Sequence, residues 1–214
     1  LGDNLELLRG PYNRIIGEFI RLSETRYPGF RISICLSHPS SDRWKQAEER
    51  IARWAGPVAE LLDRTGQSPA WLKGESDSLL MFLWVGDNLA GDNHGLAVTP
   101  YQIRKVGAAY EQLAATLGRK IDFVYQVRRK EIDPSYVEAI VETFPAVWGW
   151  TQSEEDLEFW DYLAERCEAA GCRYTQSVYP DYFTSKVYRK GSEYEILSVE
   201  ESLELPRDQM ERHY

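Results

Sequence analysis

Two stretches carry side chains whose types and spacing suit acid–base or metal chemistry. His38 stands in Ser37-His38-Pro39-Ser40-Ser41-Asp42, and Asp87, Asp92 and His94 stand in the run from Asp87 to His94. An imidazole held by a carboxylate works as a general base, and two imidazoles with two carboxylates can hold a divalent metal. Each stretch follows a segment with strand character. In an open sheet with parallel pairing, ligands bind beyond the carboxyl ends of the strands. Two such strands running parallel in one sheet would send both stretches out at one edge. The same residues also read as plain turns and caps, because Asn, Asp and Gly are the usual turn formers and Ser and Asp cap helices. Both readings stand at this point; the expectation is that the loops do not meet as a metal site and that no cofactor is held.

The common signatures of nucleotide and hydrolase chemistry are missing. There is no glycine-rich dinucleotide fingerprint, no phosphate-loop lysine, no nucleophile elbow and no His-Glu-x-x-His helix. The run from Asp87 to His94 lacks the ligand ladder and terminal Glu of an EF-hand loop. Aromatic side chains offer a second kind of site. Trp71, Trp148, Trp150, Tyr179, Tyr182 and Phe183 lie in or beside expected loops. Tyr and Trp bury much area while keeping a polar handle, which favours them at protein interfaces. The sequence therefore supports two functions. One is a non-enzymatic acidic protein that recognises another macromolecule with a basic surface, of the inhibitor, immunity or anti-defence type. The other is a small-ligand-binding protein or hydrolase using loops 37–42 and 86–95.

The elements that must position these residues follow from periodicity and punctuation. Leu5, Leu8, Tyr12, Ile15, Ile16, Phe19 and Leu22 have helical spacing, interrupted at Gly10-Pro11. Phe30 to Leu36 alternates as a strand. Trp44, Ala47, Ile51, Trp54, Val58 and Leu61 form a helical stripe with a kink signal at Gly56-Pro57, and 66–76 reads as a loop that exposes Trp71. Leu79 to Val85 is apolar throughout, as in a central strand covered on both faces. Thr99-Pro100 opens a helix that stops at Gly118, and Ile121 to Val127 alternates again. Asp133-Pro134 starts a short helix to about Phe144. Thr151 to Glu154 fits a capping box ahead of a helix ending at Gly171. Segments 173–179, 183–188 and 193–197 read as strands, the last two joined as a hairpin at Lys190-Gly191. The expected fold is α/β or α+β: a mixed sheet with 79–85 central, helices packed on it, and a C-terminal antiparallel hairpin. Residues 1–199 form one domain in this reading, and 200–214 a charged, fraying tail. A weak internal echo relates 34–54 to 148–167.

Composition bounds the rest. The chain has 214 residues, 43% hydrophobic and 28% charged, which is ordinary for a globular protein. Its net charge of −9 repels phosphate backbones at long range. The basic runs Arg119-Lys120 and Arg128-Arg129-Lys130 are local, so nucleic acid is not the expected partner. Cys35, Cys167 and Cys172 are an odd set with no ligand spacing, which points to a reducing compartment. The longest apolar run is too short to span a bilayer, and the start of the sequence lacks the pattern of a signal peptide. A cytoplasmic location is expected.

Overall fold

The computed structural model describes residues 8–37, 47–84, 99–127, 133–150 and 157–177. Its frame is one sheet of five strands: β1 (Ile34–Ser37), β2 (Leu79–Trp84), β3 (Ile121–Val127), β4 (Ala146–Trp150) and β5 (Arg173–Ser177). They lie side by side in chain order. Every pair is parallel, with Leu36 opposite Leu83, Met81 opposite Phe123, Tyr125 opposite Val147 and Val147 opposite Tyr174. Parallel neighbours require crossovers, and helices supply them. These are α1 (Asn13–Thr25) before the sheet, α2 (Ala47–Ala52) and α3 (Ala55–Thr65) between β1 and β2, α4 (Pro100–Leu117) between β2 and β3, α5 (Pro134–Thr143) between β3 and β4, and α6 (Leu157–Ala170) between β4 and β5. No helix among the described residues is long and apolar enough to cross a membrane.

Right-handed crossovers between successive neighbours put every helix on the same face of a sheet. The packing has this form. Ile34, Leu36, Leu79, Met81, Leu83, Phe123, Tyr125, Val127 and Val147 share one core with the buried residues of the helices. Val124, Ala146 and Trp148 form a separate cluster with Leu80, Phe82 and Trp84, and no described helix contributes to it. Strand residues alternate between faces, so each strand sends one set under the helices and the other onto the opposite face, helix-free among the described residues. Four successive βα crossovers of this kind carry the chain from β1 to β5.

Local chemistry explains most element ends. Thr99 accepts from the Gln102 backbone while the Gln102 side chain bonds back to the Thr99 backbone N–H, a reciprocal cap with Pro100 at the first helical position. Thr99→Ala should therefore lower stability by about 1 kcal/mol in urea unfolding; an unchanged midpoint would show that α4 starts without that cap. Asp133 caps α5 by accepting from Ser135, whose hydrogen bonds hold its carboxyl below the usual range.

Several expectations are corrected. The sheet is wholly parallel rather than mixed. Residues 173–177 do not open an antiparallel meander: the α6 crossover returns the chain to the sheet's amino end, so β5 runs parallel to β4 from Ala146–Arg173 to Trp150–Ser177. The antiparallel pairing among the described residues is a single bridge, Lys73 to Leu79; segments 183–188 and 193–197 lie outside those residues. The middle strand is β3, and β2 is covered unequally. Leu79, Met81 and Leu83 are buried, whereas Leu80, Phe82 and Trp84 are only partly so. The expected helix over 44–61 is broken at Arg53-Trp54. Pro57 has no N–H for the Arg53 carbonyl, so a new helix starts at Ala55. Gly10-Pro11 lies in a π-helical turn (Leu8–Tyr12) ahead of α1.

Candidate functional site

All five strands point the same way, so the segments that follow them leave at one edge. Ser37, the last residue of β1, is the register partner of Trp84, the last residue of β2. The chain therefore leaves towards His38 and towards the 85–98 segment from adjacent points, one strand spacing (about 4.8 Å) apart. The parallel pairing on which a shared site depends is present. His38, Asp87, Asp92 and His94 themselves lie outside the described residues, as do Arg128, Arg129 and Lys130. Among the described residues no cluster of three or more His, Cys, Asp or Glu could hold a metal.

The helix-free face changes character along the strands. Near its amino end it is polar: Asp122 of β3 accepts from Ser78 at 2.6 Å and pairs with Arg173 of β5. Because β4 lies between them, the Arg173 side chain must cross over Ala146, its register partner. Lys120 bonds the carbonyl of Ser76 at 3.1 Å and ties the 74–78 turn to this end. Towards the carboxyl end the face is aromatic. Trp148 reaches from β4 over β3 to donate its indole N–H to the Leu83 carbonyl of β2 at 3.0 Å. Its ring stands 6.0 Å from Trp84, tilted by 41°, and 6.0 Å from Phe82, edge-on at 77°. Gln126, Trp148's register partner, is buried on the same face. Cys35 is the register partner of Phe82 and is exposed by surface area, yet its surroundings still raise its thiol above the ordinary range by desolvation.

The aromatic residues singled out from the sequence fall in unlike places. Trp71 is 1% exposed, packs in the main core and donates its indole N–H to the Thr65 carbonyl at 2.7 Å. It is not on an exposed loop, because the bridge of Ile32 to Trp71 ties that segment alongside the start of β1. Trp148 and Trp150 belong to β4 rather than to a loop. Tyr179, Tyr182 and Phe183 lie outside the described residues. What the sequence reading missed is the Phe82–Trp84–Trp148 group. The i, i+2 spacing of Phe82 and Trp84 was the available signal, since it places both on one face of a strand. Comparison with protein-family models, with curated proteins and with solved structures finds no match for this chain.

Proposed function

We propose that this chain binds a small ligand at the carboxyl edge of its sheet, with the partly buried Trp84 as the apolar wall, backed by Trp148, and His38, Asp87, Asp92 and His94 as the polar groups. The observation that carries this reading is the parallel pairing of Ser37 with Trp84. Ser37 and Trp84, from which the two candidate loops start, are neighbours at the ends of adjacent parallel strands, and Trp84 itself belongs to the aromatic cluster. Parallel βα sheets bind ligands at this edge.

The ligand class follows from charge and shape. A chain with net charge −9 disfavours anions. The indole of Trp84 favours a neutral molecule with a C–H face and hydroxyl groups, a sugar ring above all. Two imidazoles and two carboxylates are the groups of general acid–base hydrolysis, so hydrolysis of such a ligand is the reaction this set would serve. The test is titration of the full chain with a panel of neutral oligosaccharides, read by tryptophan fluorescence. Saturable change is expected, weakened about tenfold or more in Trp84→Ala, a loss of roughly 1.4 kcal/mol. His38→Ala and Asp87→Asn should abolish turnover while leaving thermal unfolding unchanged. A flat titration across the panel would remove the reading.

A second reading, recognition of a macromolecule, has its own support in Ile15, Phe19, Tyr27 and Phe30, each at least half exposed on or just after α1. Binding of a basic protein that is lost in Phe19→Ser and Phe30→Ser, with the saccharide panel silent, would favour it instead.

A further inference from the structure

The end of α6 brings two thiols together. Gly171 is left-handed, with φ at +69°. The Cys172 N–H bonds the Cys167 carbonyl at 2.9 Å, and the Gly171 N–H bonds the Glu168 carbonyl at 3.2 Å. These are the paired hydrogen bonds of a Schellman cap, in which the first and sixth residues ordinarily make an apolar contact. Here both positions are cysteine; the Cys172 thiol donates to the Phe144 carbonyl at 3.2 Å, and both side chains lie in the main core. The backbone bond between the same two residues keeps their Cα atoms near the roughly 4.4–6.8 Å that a disulfide spans.

We propose that Cys167 and Cys172 form a reversible dithiol–disulfide pair, oxidised by hydroperoxides. The two members are unequal. Cys167 is buried in the main core, whereas Cys172 also lines a cleft of about 410 Å³ bounded by Gly107, Tyr110, Val141 and Phe144. The cleft is the route by which a small peroxide reaches sulfur. Cys172 lines the cleft and stands next to the Arg173 cation, so it is the attacking sulfur and Cys167 the resolving one.

The steps balance. The Cys172 thiolate attacks one peroxide oxygen, the O–O bond breaks, and the departing oxygen takes the thiol proton, leaving as water from hydrogen peroxide. Cys172 is then a sulfenic acid. The Cys167 sulfur attacks the Cys172 sulfur, the S–S bond forms and the S–O bond breaks. The departing hydroxide takes the Cys167 proton and leaves as a second water. Two thiols have lost two electrons and one peroxide has gained them; a dithiol reductant reverses the change.

The experiment uses the full chain, unmodified and as Cys35→Ser, treated with hydrogen peroxide, denatured, alkylated and digested with trypsin. Cleavage after Arg166 and Arg173 releases both cysteines in one peptide, 167–173. The expected peptide is unalkylated and lighter by two hydrogens, and dithiothreitol before alkylation restores two alkyl groups. In Cys167→Ser, Cys172 should stop at the sulfenic acid and be trapped by dimedone. Full alkylation of 167–173 after peroxide would overturn the proposal. So would oxidation confined to Cys35, or oxidation of Cys172 to the sulfinic acid in the unmodified chain.

Discussion

Leu83→Asp should leave no cooperatively folded protein. Leu83 is fully buried on the helix side of β2, opposite Leu36 of β1 and inside the main core. Removing its side chain from that core forfeits about 1.5–3 kcal/mol of burial. The carboxylate then has no partner there, at a further cost of several kcal/mol whether it stays charged or takes up a proton. Against a total stability of roughly 5–15 kcal/mol, the sum is enough to unfold the chain. Phe82→Ser on the same strand gives the contrast. Phe82 faces the helix-free side and is only partly buried, so this variant should fold with a lower urea midpoint. Circular dichroism with urea titration reads both. A cooperative Leu83→Asp transition at the unchanged midpoint would show that the helix-covered face has been placed on the wrong side of β2.

The elements most legible in the sequence were those with unambiguous punctuation. Thr99-Pro100 and Gly118 bracket α4, and Ile121 to Val127 is β3 to the residue. β4 was not legible. Only Phe144-Pro145 separates it from α5, and its apolar run, Ala146 to Trp150, is shorter than that of Leu79 to Val85 and reads on from the apolar residues of the helix before it. That omission led to the next error. Without β4, residues 173–177 have no preceding strand to cross over from, and an antiparallel pairing with the residues that follow becomes the simplest alternative. The parallel placement of β5 thus depends on one short strand.

The candidate site divides along the same line. That two polar loops follow two strands could be read directly from the residues, but whether they share an edge depended on the direction of pairing, which is a property of the whole chain. Trp71 and Trp148 were placed on loops because each is flanked by turn-forming residues, Ser68-Pro69 in one case and Gly149 in the other. Packing overrode that signal for both, and each indole N–H has found a carbonyl partner. The spacing of Cys167 and Cys172 was visible, yet five residues across a helix end becomes contact only through the left-handed turn at Gly171.

Gly149→Ala should destabilise the fold through one side chain. A methyl group added at Gly149 would lie 2.8, 2.9 and 3.1 Å from three carbons of the Trp160 ring, well inside contact distance. Trp160 cannot swing away, being fully buried and packed edge-on against Phe159 at 4.9 Å. The helix carrying it, α6, must move off the sheet, or β4 must shift between Val127 and Gln176, its partners at this point. Overpacking of this kind costs about 1–3 kcal/mol, which exceeds the roughly 0.4–1 kcal/mol that alanine returns by restricting the unfolded chain. The net loss should appear as a lower urea midpoint with an unchanged slope. Trp160→Phe supplies the test of cause, because a smaller ring vacates the space the methyl needs. Each single change should destabilise, and the double variant should be more stable than their sum by about 0.5–3 kcal/mol. Additivity to within roughly 0.5 kcal/mol would mean that β4 yields instead of the ring, and that Gly149 serves the strand's backbone rather than the seat of Trp160.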